Sequence, residues 1–264
     1  MTHSASYQTL RIEKRGAADW LTLDRPAALN ALNERMIDEL GDYFGRLCDD
    51  RDTRVVVMRA GGKAFCAGLD LREMADLITR LDMPARLAFQ QRLSSIFLAM
   101  RRCPQPIVCL VQGAASGGGF ALAVASDIRY CTPDARMNAA FIRVGLSGCD
   151  VGMSYLLPRL VGASVATELL MTGAFIDAAR AQALGLVSAV VPHEELEAAG
   201  ERLARQLLQA DPVGLALTKQ GLQVGIAAPS LESAIANEDR QQTLLSGEEG
   251  FKERIRAFVE KMKG

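Results

Sequence analysis

The sequence predicts an α/β fold that ends in a helical extension, and three observations carry that expectation. Short β-branched runs alternate with longer segments of helical spacing over most of the chain, the order that builds a sheet flanked by helices. Beyond His193 the pattern is helical throughout, with no further strand signal. The chain has 264 residues, enough for one large domain or for one domain with a helical appendage. The expected division is a core over 1–195 that carries the site and a helical region over 196–264.

Taken in order, Tyr7–Arg15 and Asp19–Asp24 read as paired strands around a turn at Gly16. Asn33 can cap a helix reaching about Asp50, because Met36, Leu40, Phe44 and Leu47 recur at helical spacing. Arg54–Ala60 is a buried strand by its β-branched content. Pro84 opens a helix to about Arg102, which Pro104 and Pro106 close. Ile107–Val111 and Ile128–Thr132 are further strands. Helical stages follow at Tyr155–Val161, Ser164–Met171 and Asp177–Leu184, and Leu186–Val191 is the last strand. Breaks in the helical tail are expected near 211–212, Gly225 and Gly247. Within that tail Leu231, Ile235, Leu244, Phe251, Ile255, Phe258 and Val259 form an apolar stripe. Such a stripe covers either its own domain or another chain.

Composition excludes several classes of function. Thirty basic against 31 acidic side chains, with no block of one sign, argue against nucleic acid or a membrane surface as partner. No apolar run approaches the ~20 residues of a membrane span, and the N-terminal MTHSASYQTL lacks the layout of a secretory signal. The six cysteines are scattered without a C-x-x-C pair, so reduced thiols in a cytoplasmic protein are expected. The two histidines, His3 and His193, offer neither a metal site nor a Ser-His-Asp triad.

Two glycine-rich stretches carry the chemistry. In 112–127, QGAASGGGFALAVASD, an apolar strand runs into Gly117, Gly118 and Gly119 and then into a helical segment. Consecutive glycines let a ligand approach the backbone. The helix start behind them presents unpaired N–H groups suited to a phosphate or a developing oxyanion. Neither a G-x-G-x-x-G nor a P-loop pattern fits, and Ala114 rules out a G-x-S-x-G elbow around Ser116. In 61–74, GGKAFCAGLDLREM, a second strand leads through glycines into a second helical segment. Two such turns can offer one N–H each to the same carbonyl oxygen. Cys66, inside the second stretch, reads as a small apolar filler.

These two stretches, KAFCAGLDL followed by GAASGGGF, closely resemble the crotonase (enoyl-CoA hydratase/isomerase) superfamily. Leu23-Asp24-Arg25-Pro26, Ala28–Leu32, Ser126–Arg129, Leu156–Gly162, Thr172-Gly173 and Ala183–Val187 extend the resemblance over nearly the whole chain. The resemblance implies a spiral of ββα turns followed by helices that build a trimer, often paired into hexamers. It implies an acyl-CoA thioester as substrate, with coenzyme A part of that substrate and no separate cofactor. The oxyanion donors by motif position are the N–H groups of Leu69 and Gly118. Arg25, Ala27, Ala28, Lys63, Ala64 and Ala67 match positions lining the CoA moiety, with Gly117 and Phe141 beside the acyl group. From the residues alone, solvated charges are the preferred reading of Arg25 and Lys63.

The departures from the family are as informative as the matches. Hydratases of this family carry two glutamates, at the positions held here by Ala121 and Phe141, and neither of these can move a proton. Asp150 remains nearby, in a stretch resembling the dienoyl-CoA isomerases and the isomerases of aromatic acyl-CoA breakdown, but with one extra residue before the Asp. A single carboxylate suits a 1,3-proton shift; as an alternative, Asp150 caps a helix starting near Val151. Asp70 and Asp127 read as structural caps or turn residues, while Glu73 and Arg143 are within possible reach of the pocket. Three functions stay open: double-bond isomerisation with Asp150 as base; another acyl-CoA reaction such as hydration, decarboxylation or thioester hydrolysis; and acyl-CoA binding without catalysis.

Overall fold

The computed structural model describes residues 7–262; His3 and most of the segment read for a secretory layout lie outside them. Strands β1 (Leu10–Arg15) and β2 (Ala18–Leu23) form the antiparallel pair expected around Gly16. Helix α1 (Glu34–Leu47) starts at Asn33, whose side chain accepts the Met36 N–H at 3.0 Å as an N-cap. β3 (Val55–Ala60), α2 (Leu71–Arg80), α3 (Met83–Arg102) and β4 (Ile107–Val111) follow. Then come β5 (Ala114–Ser116), α4 (Gly118–Ala125), β6 (Ile128–Cys131) and β7 (Arg136–Asn138). The core continues through α5 (Met153–Val161), α6 (Ala163–Thr172), β8 (Ile176–Asp177), α7 (Ala178–Ala183), β9 (Ala189–Val190) and α8 (Leu196–Gln209).

A six-stranded sheet runs β1-β2-β3-β4-β6-β9, parallel except at its β1–β2 edge, and a three-stranded sheet runs β5-β7-β8. The chain visits the two sheets in turn, β4 then β5, β6 then β7, which is the ββα winding expected of the core. Alternation along the central strands explains their continuous apolar runs. Val56 and Met58 of β3 join the main core with α1 and α3, whereas Val55 and Val57 face Leu196 and Ala204 of α8. Both faces of the sheet are therefore covered, as parallel sheets require.

The described chain forms two compact units that divide between Gln209 and Ala210, so α8 belongs to the sheet's unit although the sequence grouped it with the helical region. The second unit consists of α9 (Pro212–Ala227), α10 (Leu231–Gly247) and α11 (Glu249–Lys261). The breaks expected at 211–212 and 247 are present. The break expected near Gly225 falls just beyond it, between the end of α9 at Ala227 and the start of α10 at Leu231. β5, β7 and β8 were not legible in the sequence; two or three residues show no period. The last strand, expected over Leu186–Val191, shrinks to Ala189–Val190.

Candidate active site

The two glycine-rich stretches lie side by side because Cys66 stitches them together. Its N–H donates to the Ala114 carbonyl at 3.1 Å, and its carbonyl accepts the Ser116 N–H at 2.9 Å. The glycines permit this contact. A methyl on Gly113 would fall 2.2 Å from the Lys63 carbonyl oxygen, and one on Gly119 would fall 2.2 Å from that of Cys66. One on Gly68 would lie 2.8 Å from the Ser116 oxygen and 3.6 Å from the Gly118 nitrogen. Gly117 adopts φ 50° with ψ −118°, a conformation closed to side chains, and so turns β5 into α4.

Helix α4 is buried along its whole length, and Gly118 is its first residue. Among the described residues, neither the Gly118 N–H nor the Leu69 N–H meets an acceptor. Buried backbone donors are almost always paired. An unpaired one at a buried helix start beside a second turn is an open place for a ligand oxygen. The flanking groups of Leu69 are committed: the Gly68 carbonyl accepts from Leu32 at 2.7 Å and the Asp70 N–H donates to the Leu32 carbonyl at 2.9 Å.

The CoA-side positions fall on two loops in mutual contact. Arg25, Ala27 and Ala28 precede α1; Lys63, Ala64 and Ala67 precede α2. Asn30, buried with φ 54°, ties the loops by donating to the carbonyls of Gly61 (2.8 Å) and Ala64 (2.9 Å), and the Ala67 N–H reaches the Leu29 carbonyl at 3.0 Å. Ala27 and Lys63 are exposed, Ala28 and Ala67 half-buried, Ala64 buried. Arg25 turns its guanidinium inward onto Asp70 at 2.9 Å, the Ala31 carbonyl and Glu73. Its charge is thereby committed to the loop rather than displayed to a ligand phosphate. Glu73 is held by Arg25 and by Asn33 at 2.7 Å, and Arg143 is exposed and lies over the Phe175 ring. Asp70 caps α2 and Asp127 accepts the first N–H of β4 at 2.9 Å, the structural roles expected of both.

Phe141 stands over Gly117, its ring 3.5 Å from where a Gly117 side chain would begin. Ala121 is buried one turn into α4. Burial pushes the Cys66 thiol up to about 12, so it stays a neutral filler. Asp150 lies on the loop that precedes α5. Its loop is pinned by Gly148, where a methyl would meet the Leu170 carbonyl oxygen of α6 at 2.0 Å. The helix-cap alternative for Asp150 does not hold, since α5 begins at Met153 with Gly152 at the cap position and no side-chain cap. Instead Asp150 Oδ1 accepts from its neighbour Val151 N–H at 2.8 Å and from Gln90 Nε2 of α3 at 2.6 Å. Val151 is forced to φ 40° and Gly152 to φ 88°. A β-branched residue in the left-handed region is strained, and such strain concentrates at functional sites. Burial raises the Asp150 carboxyl above its ordinary range, opposed by those two hydrogen bonds.

The sequence singled out Asp150, Leu69 and Gly118 and gave no role to Gln90, Asn30 or the strained Val151. Asn30 stood in a matched motif without a stated role. Gln90 had no signal at all, being 60 residues from its partner on an ordinary helix.

Comparison with known proteins bears on the same geometry. Residues 13–264 match the family model described as enoyl-CoA hydratase/isomerase. The chain is 31% identical to the short-chain-enoyl-CoA hydratase of Clostridium acetobutylicum over 96% of this chain and 95% of that one. It is 35% identical to the human mitochondrial Delta(3,5)-Delta(2,4)-dienoyl-CoA isomerase over 82% of this chain and 69% of that one. The crystal structure of an enoyl-CoA hydratase from Mycobacterium smegmatis superposes with a TM-score of 0.89 at 34% identity, covering 96% of this chain and 97% of that one.

Proposed function

Because the chain belongs to the enoyl-CoA hydratase/isomerase family, an enzyme family of the crotonase fold, we propose that it moves a double bond along an acyl-CoA thioester, with Asp150 as its single base. The observation that supports this most is the Asp150 carboxylate. It is half-buried and raised in pKa, with one oxygen held and the other carrying no donor among the described residues. Ala121 and Phe141, at the two positions where hydratases of the family carry glutamates, supply no second carboxylate. On a 3-enoyl thioester Asp150 takes the proton from C2, and the electrons of that C–H bond form a C1=C2 bond as the carbonyl pair moves onto the thioester oxygen. Charge reaches the thioester oxygen in the dienolate, where the Leu69 and Gly118 N–H groups receive it. The same carboxyl then returns the proton at C4: the carbonyl re-forms, the C1=C2 pair becomes C2=C3 and the C3=C4 pair takes the proton, so no water is consumed.

The test is a panel of 2-enoyl-, 3-enoyl- and dienoyl-CoA esters, with products read by mass and ultraviolet spectrum. The expected product is isomeric with its substrate. A product heavier by one water is the outcome of a hydratase, the activity named for the Clostridium relative, and would displace this reading.

We further propose a homotrimer or a pair of trimers. α10 and α11 bury none of their apolar residues in the chain, leaving Leu231, Ile235, Leu244, Phe251, Ile255, Phe258 and Val259 exposed. A stripe of this size on a soluble chain is the mark of a partner surface. Light scattering is expected to give three or six copies; a monomer at every concentration would contradict it.

A further inference from the structure

We propose that Gln90 is the positioning residue of this site, its side-chain amide holding one oxygen of Asp150 so that the other is presented to the acyl chain. This rests on the reading of Asp150 as base. Gln90 is half-buried on α3, and its Nε2 lies 2.6 Å from Oδ1; the Val151 N–H reaches the same oxygen at 2.8 Å. Two donors from separate elements on one oxygen fix both the rotation of the carboxylate and which oxygen is free. A base held this way is already aimed when substrate arrives, and misplacement by about 1 Å is worth on the order of 100-fold in rate.

The residue type fits the task. An ionised carboxylate is acceptor-only, and a primary amide donates without titrating, so it orients the base without competing for its proton. A carboxylate or imidazole in its place would share the proton. No charged side chain of the described residues shifts Asp150. α4 carries no titratable group, Arg92 of α3 is engaged with Glu34 and Asp38, Arg86 with the Leu81 and Thr79 carbonyls, and Arg159 of α5 with Tyr155. Among the described residues the Gln90 amide is therefore the one side chain that donates to this carboxyl, and its removal has a defined sign. Loss of a donor to the ionised form raises the pKa.

The test uses Gln90→Met and Gln90→Glu, both good helix formers, with Asp150→Asn beside them. In Gln90→Met, kcat at neutral pH should fall about 10-fold with KM within about twofold, and the acid limb of the pH profile should move up by about one unit. Gln90→Glu should move that limb further, because two carboxyls then share the site. Titration of carboxyl-labelled aspartates by NMR, with the Asp150 signal identified by its loss in Asp150→Asn, should show the same upward shift without any turnover. Wild-type kcat and an unmoved Asp150 titration in Gln90→Met would overturn the positioning role while leaving Asp150 as base if Asp150→Asn is inactive. If Asp150→Asn keeps wild-type turnover, the base reading itself fails and Gln90 falls with it.

Discussion

Asp150→Asn should lower the rate of double-bond migration by roughly 10²–10⁴-fold, the contribution of a positioned general base, while leaving acyl-CoA affinity within a few-fold of wild type. Asn has the size of Asp and its side-chain oxygen can still accept from Gln90 and Val151, so the loop geometry survives. It cannot take a proton, and an effect confined to kcat marks a group that acts in the transition state. The pH dependence has a defined direction. The folded-state pKa of Asp150 is raised by burial, so activity should fall as pH drops through a value above the ordinary carboxylate range. The same shift fixes the stability effect. A group titrating higher in the folded chain than in the unfolded one costs nothing below the unfolded pKa. Its cost grows as pH rises through the folded value. At neutral pH the ionised Asp150 therefore burdens the fold, and Asp150→Asn should melt no lower than wild type. A melting temperature well below wild type, or retained turnover, would count against a catalytic Asp150.

Gly119→Ala should disrupt both stability and activity. Its new methyl would sit 2.2 Å from the Cys66 carbonyl oxygen and 2.6 Å from Cys66 Cβ. Backbone cannot rotate away from such an overlap, and overpacking of this kind costs ~1–3 kcal/mol or more. The contact is also the seam between the two turns. Parting them displaces the Leu69 donor from Gly118, and loss of one oxyanion donor costs roughly 10²–10³-fold in kcat. Gly225→Ala is the control. Gly225 lies inside α9 with nothing within 4 Å of its added methyl, and Ala there should stabilise by about 0.5–1 kcal/mol. The melting temperatures of the two variants should move in opposite directions, and only Gly119→Ala should lose rate; equal behaviour would mean the seam is not tight.

The contrast between these glycines shows what the sequence made legible. Gly119 and Gly225 are the same letter, and only the run of small residues around the first hinted at a close approach. Long periodic elements were readable: α1 from its apolar spacing and Asn33 cap, β3 and β4 from their β-branched runs. The two glycine-rich turns were readable because strand, glycines and helix are local in sequence. The three-stranded sheet was not, since its strands of two or three residues gain their pairing only from the winding of the chain. The Gln90–Asp150 contact was invisible for the same reason, because nothing local specifies a hydrogen bond between a mid-helix amide and a distant loop. Arg25 is a different case. The sequence left it between a position lining the ligand and a solvated charge, and its pairing with Asp70 and Glu73 was visible in neither reading.

The central claim is that the two turns hold a thioester oxygen within reach of the Asp150 carboxylate. A crystal structure with an unreactive acyl-CoA analogue tests it most directly. The account predicts the thioester oxygen about 2.7–3.1 Å from both the Leu69 and Gly118 nitrogens. It also predicts Asp150 Oδ2 about 3–3.5 Å from the carbons that exchange the proton. An analogue bound with its carbonyl away from these donors, or with Asp150 turned from the acyl chain, would contradict it.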